Sequence, residues 1–239
     1  MLNSLERIIP DYIDKNEVTG KQSLSLHLER YQFAGCHLIE GTTLDFACGA
    51  GYGSYILATE FLTTSKIIGA DGDEAIIDYA RKRYQHPNIE FINTDDQHLH
   101  NLVPYLKNII CLETIEHLKN PEYFIRDMSD KLEKGGRFIA SVPVTASMDA
   151  NPYHLHDFTI EKFRNLFIVN NYRELDTLLQ VQPYSAFTIL GRQEIRMKTM
   201  RKNIIGYYFS HPSKLLLRLT SLFKNGFTNK YYTGVFEKL

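Results

Sequence analysis

Residues 42–63 read TTLDFACGAGYGSYILATEFLT. A short apolar run, TTLDFA, breaks at a glycine-rich turn, and the turn opens into YGSYILATEFLT, which has the length and apolar content of a packed helix. Strand, tight turn and helix make the first half of a βαβ unit. The pattern recurs outward from there. KIIGAD (66–71) reads as a strand and DEAIIDYARKRYQ (73–85) as a helix with Ala75, Ile76, Tyr79 and Ala80 on its apolar face. IEFINTD (89–95) and NIICLE (108–113) read as strands, and PEYFIRDMSDKLEKGG (121–136) as a helix closed by Gly135 and Gly136. RFIASVP (137–143) is the next strand, TIEKFRNLFIVNN (159–171) a helix capped by Thr159, and YRELDTLLQV (172–181) a further strand. Helices of about 10 to 15 residues between strands predict an α/β fold: a doubly wound, mostly parallel sheet with helices on both faces.

The chain has 239 residues, 44% of them hydrophobic, enough for one sizeable core and against global disorder. Cys36, Cys48 and Cys111 are too few and too scattered for a disulfide framework or a zinc cluster, which points to reduced thiols and a cytoplasmic location. The start, MLNSLERIIPDYIDK, has acids and a proline where a signal peptide needs an apolar run, and no stretch is long and apolar enough to span a bilayer. Residues 1–40 are expected to form a mobile lead-in and a helix over about Ser23–Leu38, and residues 41–239 the main domain. Net charge is −1 but uneven: residues 192–230 carry nine Lys/Arg against one Glu, a local +8, so the remainder holds −9.

In doubly wound sheets ligands sit at the carboxyl ends of the strands. Gly49 and Gly51 end the first strand's turn, where bare backbone and a helix N-terminus can meet a ligand. A dinucleotide fingerprint needs G-x-G-x-x-G; here Ser54 stands three after Gly51, which disfavours a dehydrogenase. Asp45 can accept from an amino-bearing cofactor, Asp71 from both hydroxyls of a ribose, and Asp95 with Asp96 from an exocyclic amine. Each acid alone reads equally well as a cap or turn residue; three on successive strand ends beside a glycine loop do not.

LDFACGAGYG, IIGADGDEAI, IEFINTDD and CLETIEHLKNPEYFIRDMSDKLEKGGRFIASVP stand in the order and at the spacings of class I S-adenosylmethionine (SAM)-dependent methyltransferases, which the chain resembles from about residue 25 to 170. The resemblance implies a Rossmann-like, seven-stranded sheet whose last strand, here YYTGVFEKL (231–239), is antiparallel. It assigns the methionine part of SAM to Asp45 and the Gly49–Gly51 loop, the ribose to Asp71, and the adenine to Asp95 and Asp96. Ala47, Gly72 and Leu112 complete the implied cofactor contacts. Ala47 stands where the family usually has glycine; being small, it is expected to leave binding intact. Tyr31, in HLERYQFA, lies where similar enzymes cover the cofactor with a helix, though ordinary helix packing would explain it equally.

ETIEHL (113–118) follows the fourth strand, beside the departing methyl group in this frame. A helix starting near Glu113 would put Glu113, Glu116 and His117 on one face. SMDANPYHLHDFT (147–159) follows the fifth strand and carries His154. The E-x-x-E-H…H pattern resembles two metal-assisted O-methyltransferase groups, those of small-RNA 3′ ends and of ubiquinone biosynthesis. That match implies that Glu113, Glu116, His117 and His154 hold Mg²⁺ or Mn²⁺, which would lower the pKa of an acceptor hydroxyl. Without metal, His117 or His154 would be the catalytic base; with or without metal, unshifted imidazoles would give an acid limb near ~6.5. Helix-dipole and packing roles remain the plain alternative.

RIIPDYIDK, NPYHLHDFT and NGFTNKYYTGVF also resemble bacterial methyltransferases of polysaccharide and glycan synthesis, which implies a sugar hydroxyl as acceptor. An RNA 3′ end and a quinone or catechol intermediate remain alternatives, as does a SAM-binding partner protein without catalysis. The basic insertion at 192–230 carries KLLLRLTSLF, with leucines at helical spacing. A substrate lid is the first reading, peripheral membrane contact the second. Nucleic acid ranks last because no RNA-binding module accompanies the basic stretch. Oligomeric state is left open by the sequence.

Overall fold

The computed structural model describes residues 7–15, 17–61, 64–94, 105–184 and 200–239. Among the described residues a seven-stranded sheet runs in the order β3-β2-β1-β4-β5-β7-β6. The strands are β1 (Gly41–Phe46), β2 (Thr64–Asp71), β3 (Ile89–Asn93), β4 (Leu106–Leu112), β5 (Leu132–Pro143), β6 (Tyr172–Pro183) and β7 (Thr228–Lys238). Neighbours from β3 to β5 pair in parallel, and β7 runs antiparallel between β5 and β6. This is the expected architecture, with the C-terminal run as the antiparallel strand.

Period-two alternation along the strands supplies two faces. Ile67, Ile110, Ile139 and Val235 pack with Tyr31 of α1 (Val18–Cys36), Leu57 of α2 (Tyr52–Glu60) and Ile76 of α3 (Glu74–Arg83). Leu44, Ile68, Ile109 and Phe138 pack with Ile125 of α4 (Pro121–Lys131) and with Phe163 and Phe167 of α5 (Ile160–Ile168). Strands buried on both faces need continuous apolar runs, which is why NIICL lacks polar alternation.

Local chemistry explains several boundaries. Asp73 caps α3 by accepting from the Ala75 amide, and Arg81, Lys82 and Arg83 close its last turn against the helix dipole. Ile77 is buried on α3, while Ala75, expected inside, is exposed. Thr159 caps α5, its hydroxyl accepting from the Lys162 amide at 3.2 Å. Thr159→Ala is expected to lower stability by about 1 kcal/mol, read from the urea midpoint, and an unchanged midpoint would refute that role.

Four expectations need correction. The helix before β1 starts at Val18 rather than Ser23. The lead-in is held where it is described: Ile9 is buried, Arg7 pairs with Asp73 at 2.6 Å, and Asp11 accepts from Tyr79 and Arg83, both at 2.8 Å. α4 ends at Lys131, before the two glycines, because Leu132 is buried and already pairs with Leu106. No α-helix begins at Glu113; that residue has φ 50°, and a single 3₁₀ turn spans Ile115–His117.

Two further helices among the described residues, α6 (Ile204–Ser210) and α7 (Pro212–Asn225), lie in the basic insertion. No helix among the described residues is long and apolar enough to cross a membrane.

Candidate functional site

One cavity of about 380 Å³ opens at the carboxyl ends of β1, β2, β4 and β5. Its floor is the turn after β1. Ala47 and Gly49 there have φ of 57° and 56°. Glycine takes this left-handed backbone freely, whereas Ala47 is held in it at a cost of about 1 kcal/mol. The Cys48 amide donates to Ala70 O at 3.0 Å and the Gly49 amide to Asp71 Oδ2 at 3.0 Å, so the turn is tied to the end of β2.

Asp45 is only 1% exposed and does not line the cavity. It lies beneath the turn, where its carboxylate accepts from the Ser54 hydroxyl at 2.6 Å and the Tyr31 hydroxyl at 3.2 Å. Burial pushes its pKa up to about 7, against those two hydrogen bonds. Burial and the neighbouring Asp45 together raise the Tyr31 phenol. Tyr31 does line the cavity, and its ring lies directly on Gly53, where an added Cβ would stand 1.9 Å from the ring. Gly53 is therefore what lets α1 close over α2.

Asp71 lines the cavity, with its oxygens on the Gly49 and Asp73 amides, both at 3.0 Å, and Arg7 at 3.7 Å. Leu112 forms part of the wall. Gly51 and Gly72 lie outside the lining, and Asp95 and Asp96 fall outside the described residues.

The four residues singled out around ETIEHL part company. Glu116, His117 and His154 come together, with ligand-type atoms within 4.8 Å of one another. Glu113 is not in that group. Its amide is held by Ser141, and its carboxylate accepts from the Ser141 hydroxyl at 2.8 Å and faces Arg30 at 3.6 Å. Arg30, which the sequence did not single out, is 1% exposed, lines the cavity, donates to Gln180 at 2.7 Å and stacks over Tyr231 at 4.6 Å.

Hydrogen bonds set the imidazoles. His117 Nδ1 meets the Tyr153 carbonyl at 3.2 Å and so carries the proton, which leaves a lone pair on Nε2, 3.9 Å from Glu116 Oε1. The Ser147 hydroxyl donates to Asp157 at 3.4 Å, so His154 Nδ1 is the donor in its 2.7 Å contact with Ser147. His154 Nε2 then also carries a lone pair. The two rings meet edge to face, 4.7 Å apart. Burial, with His117 second, drives the His154 pKa down to about 3, against Asp157. The cluster thus sets one buried acid, Glu116, beside two imidazoles, of which His154 is held neutral.

α7 borders the same space. Arg218 lines the cavity and donates to Asp149 at 2.6 Å, and Lys214 pairs with Asp157 at 2.8 Å. Both contacts tie α7 to the loop that carries His154.

The family model of the methyltransferase domain matches residues 40–185. A probable S-adenosylmethionine-dependent methyltransferase of Mycolicibacterium smegmatis is 26% identical over 72% of this chain and 66% of its own length, so the chain spans just under two thirds of that relative. A putative methyltransferase of Bacillus halodurans superposes with a TM-score of 0.67 at 15% identity, over 90% of this chain and 99% of its own. The N-methyltransferase NodS of Bradyrhizobium japonicum, solved with S-adenosyl-L-homocysteine, superposes with a TM-score of 0.63 at 14% identity, over 98% of this chain and 94% of its own. With the family model covering more than half of its residues and the sheet in the order described, the chain belongs to the methyltransferase-domain family, on the class I S-adenosylmethionine-dependent fold.

Proposed function

We propose that the chain is a SAM-dependent O-methyltransferase whose acceptor is a hydroxyl of a sugar, glycan or similar small molecule. The observation that carries the reading is the Glu116–His117–His154 cluster, set in the same cavity as the β1 turn. SAM fits that turn. The direction in which Gly49 would carry a Cβ is open, with no atom within 4 Å, so a ligand can lie against its backbone. Asp71 stands ready for the ribose hydroxyls, Tyr31 and Leu112 wall the pocket, and Asp45 supports the turn from below through Tyr31 and Ser54. SAM supplies an electrophilic methyl group; the protein's part is to bring an oxygen to it in line and to take its proton.

Glu116 with the imidazoles of His117 and His154 is a donor set for a divalent cation such as Mg²⁺ or Mn²⁺, which would make the hydroxyl more acidic. Glu113, turned to Ser141 and Arg30, is left out of that set. A second reading dispenses with metal: His117 Nε2 takes the proton itself, favoured by the Tyr153 carbonyl that fixes its tautomer.

Glycan hydroxyls are supported by the polar side chains of Ser23, Gln182, Asn229 and Tyr231, which line the same cavity, since a polyhydroxyl acceptor needs many hydrogen-bond partners. The test is an acceptor screen by mass spectrometry, reading the gain of one methylene together with S-adenosylhomocysteine. Turnover on saccharides is expected, abolished by EDTA and restored by Mg²⁺ or Mn²⁺. Full turnover of metal-free protein in EDTA would leave His117 as the base. SAM binding with no methylated product on any hydroxyl class would overturn the proposal.

A further inference from the structure

We propose that α6 and α7 form a docking surface for an anionic lipid bilayer. On an ordinary surface helix the apolar stripe faces the core and the charges face water. α7 is inverted. Lys214 and Arg218, one turn apart, face the domain and end on Asp157 and Asp149. Burial would raise Asp149, but the Arg218 guanidinium and the Tyr208 hydroxyl hold it below the usual carboxylate range, so the anchoring pair stays ionised. The residues left outward are Leu216, 64% exposed, Leu219, 54%, and Phe223, 93%. α6 adds Ile205 and Phe209, the latter 85% exposed. No residue of α7 is buried. The helix is fixed to the domain by ion pairs and turns its apolar face to the surroundings.

Charge selects the occupant. Residues 201–230 contain six Lys/Arg and no Asp or Glu. Lys214 and Arg218 are neutralised inward, while Lys202 and Lys224 are exposed beside the apolar residues. Outward leucines and phenylalanines flanked by lysines fit a helix lying in the headgroup layer of a negatively charged membrane. A second copy of this face would bring like charges together. Since α7 has 14 residues and no described helix can span a bilayer, the contact is peripheral. Arg218, on the inward side of α7, lines the cavity, so the helix that carries the docked face also borders it.

The proposal does not rest on the methyl-transfer reading, and its test uses neither SAM nor an acceptor. The 239-residue chain is floated with vesicles of phosphatidylglycerol and phosphatidylcholine. The double variant Leu216→Ser, Phe223→Ser changes only outward side chains; circular dichroism and the thermal midpoint serve as the fold control. Wild type is expected to float and the folded double variant to partition about tenfold or more weakly. Phosphatidylcholine alone should capture less wild type. Wild type left behind with the soluble fraction, or a double variant that floats as well, would overturn the proposal. Equal flotation on phosphatidylcholine alone would overturn the anionic-surface assignment. A wild-type dimer that the double variant dissolves, with no flotation, would assign the face to a second copy instead.

Discussion

Asp71→Ala is expected to weaken SAM binding by about 2–4 kcal/mol, roughly 30- to 1000-fold, through the loss of two charge-assisted hydrogen bonds to the ribose. The geometry warns against crediting all of that to the ribose. Asp71 also accepts from the Gly49 amide at 3.0 Å and faces Arg7 at 3.7 Å, so its removal frees the turn and loosens the lead-in. Arg7→Ala separates the effects. It leaves the carboxylate and the Gly49 bond intact, and Arg7 is nearer to Asp73, at 2.6 Å, than to Asp71. Calorimetric titration of Arg7→Ala should stay within a few-fold of wild type. A loss as large as that of Asp71→Ala would place the effect in the lead-in and sink the ribose assignment.

The contrast between Asp71 and Asp45 shows what the sequence discloses and what it hides. Both stand at strand ends, and the family resemblance marks both for the cofactor. Only Asp71 reaches the cavity, because Tyr31 and Ser54 enclose Asp45 from above. Alternation and helical spacing predict elements well, since each needs only neighbours along the chain, and the β1–α2 turn was readable for that reason. Arg30 was invisible: its partners Gln180, Glu113 and Tyr231 are distant in sequence, and nothing in HLERYQFA marks it. Likewise the leucine spacing of KLLLRLTSLF announced an amphipathic helix but not its facing. That depends on Asp149 and Asp157, which draw Lys214 and Arg218 inward from another loop. Glu113 fell with the geometry of ETIEHL. A spacing of three and four residues joins side chains only on a helix, and the chain takes a left-handed step at Glu113 before a single 3₁₀ turn.

Glu116→Gln is expected to lower turnover by about 10²–10⁴-fold while SAM affinity stays near wild type. The amide keeps the shape of a side chain that is 1% exposed, so the fold should survive, but the negative charge of the donor set is gone. Glu113→Gln is the comparison. Its carboxylate serves Ser141 and Arg30 and lies outside the cluster, so a smaller loss is expected, and an equal loss would return Glu113 to the site. The pH profile sharpens the assignment. Two unshifted histidines would give a shared acid limb, yet His154 is driven from 6.5 to about 3 by burial and by His117. His154 therefore stays neutral near pH 7 and contributes no acid limb of turnover there, so His154→Asn should leave any such limb in the residual activity unmoved. Stability should register His154 instead. Between 6.5 and about 3 the unfolded chain binds a proton at His154 that the folded chain refuses, so stability falls as pH drops through that window. Urea midpoints should decline on acidification in wild type and decline less in His154→Asn; identical slopes would show that His154 titrates normally in the fold, and the neutral-imidazole donor set would lose its basis.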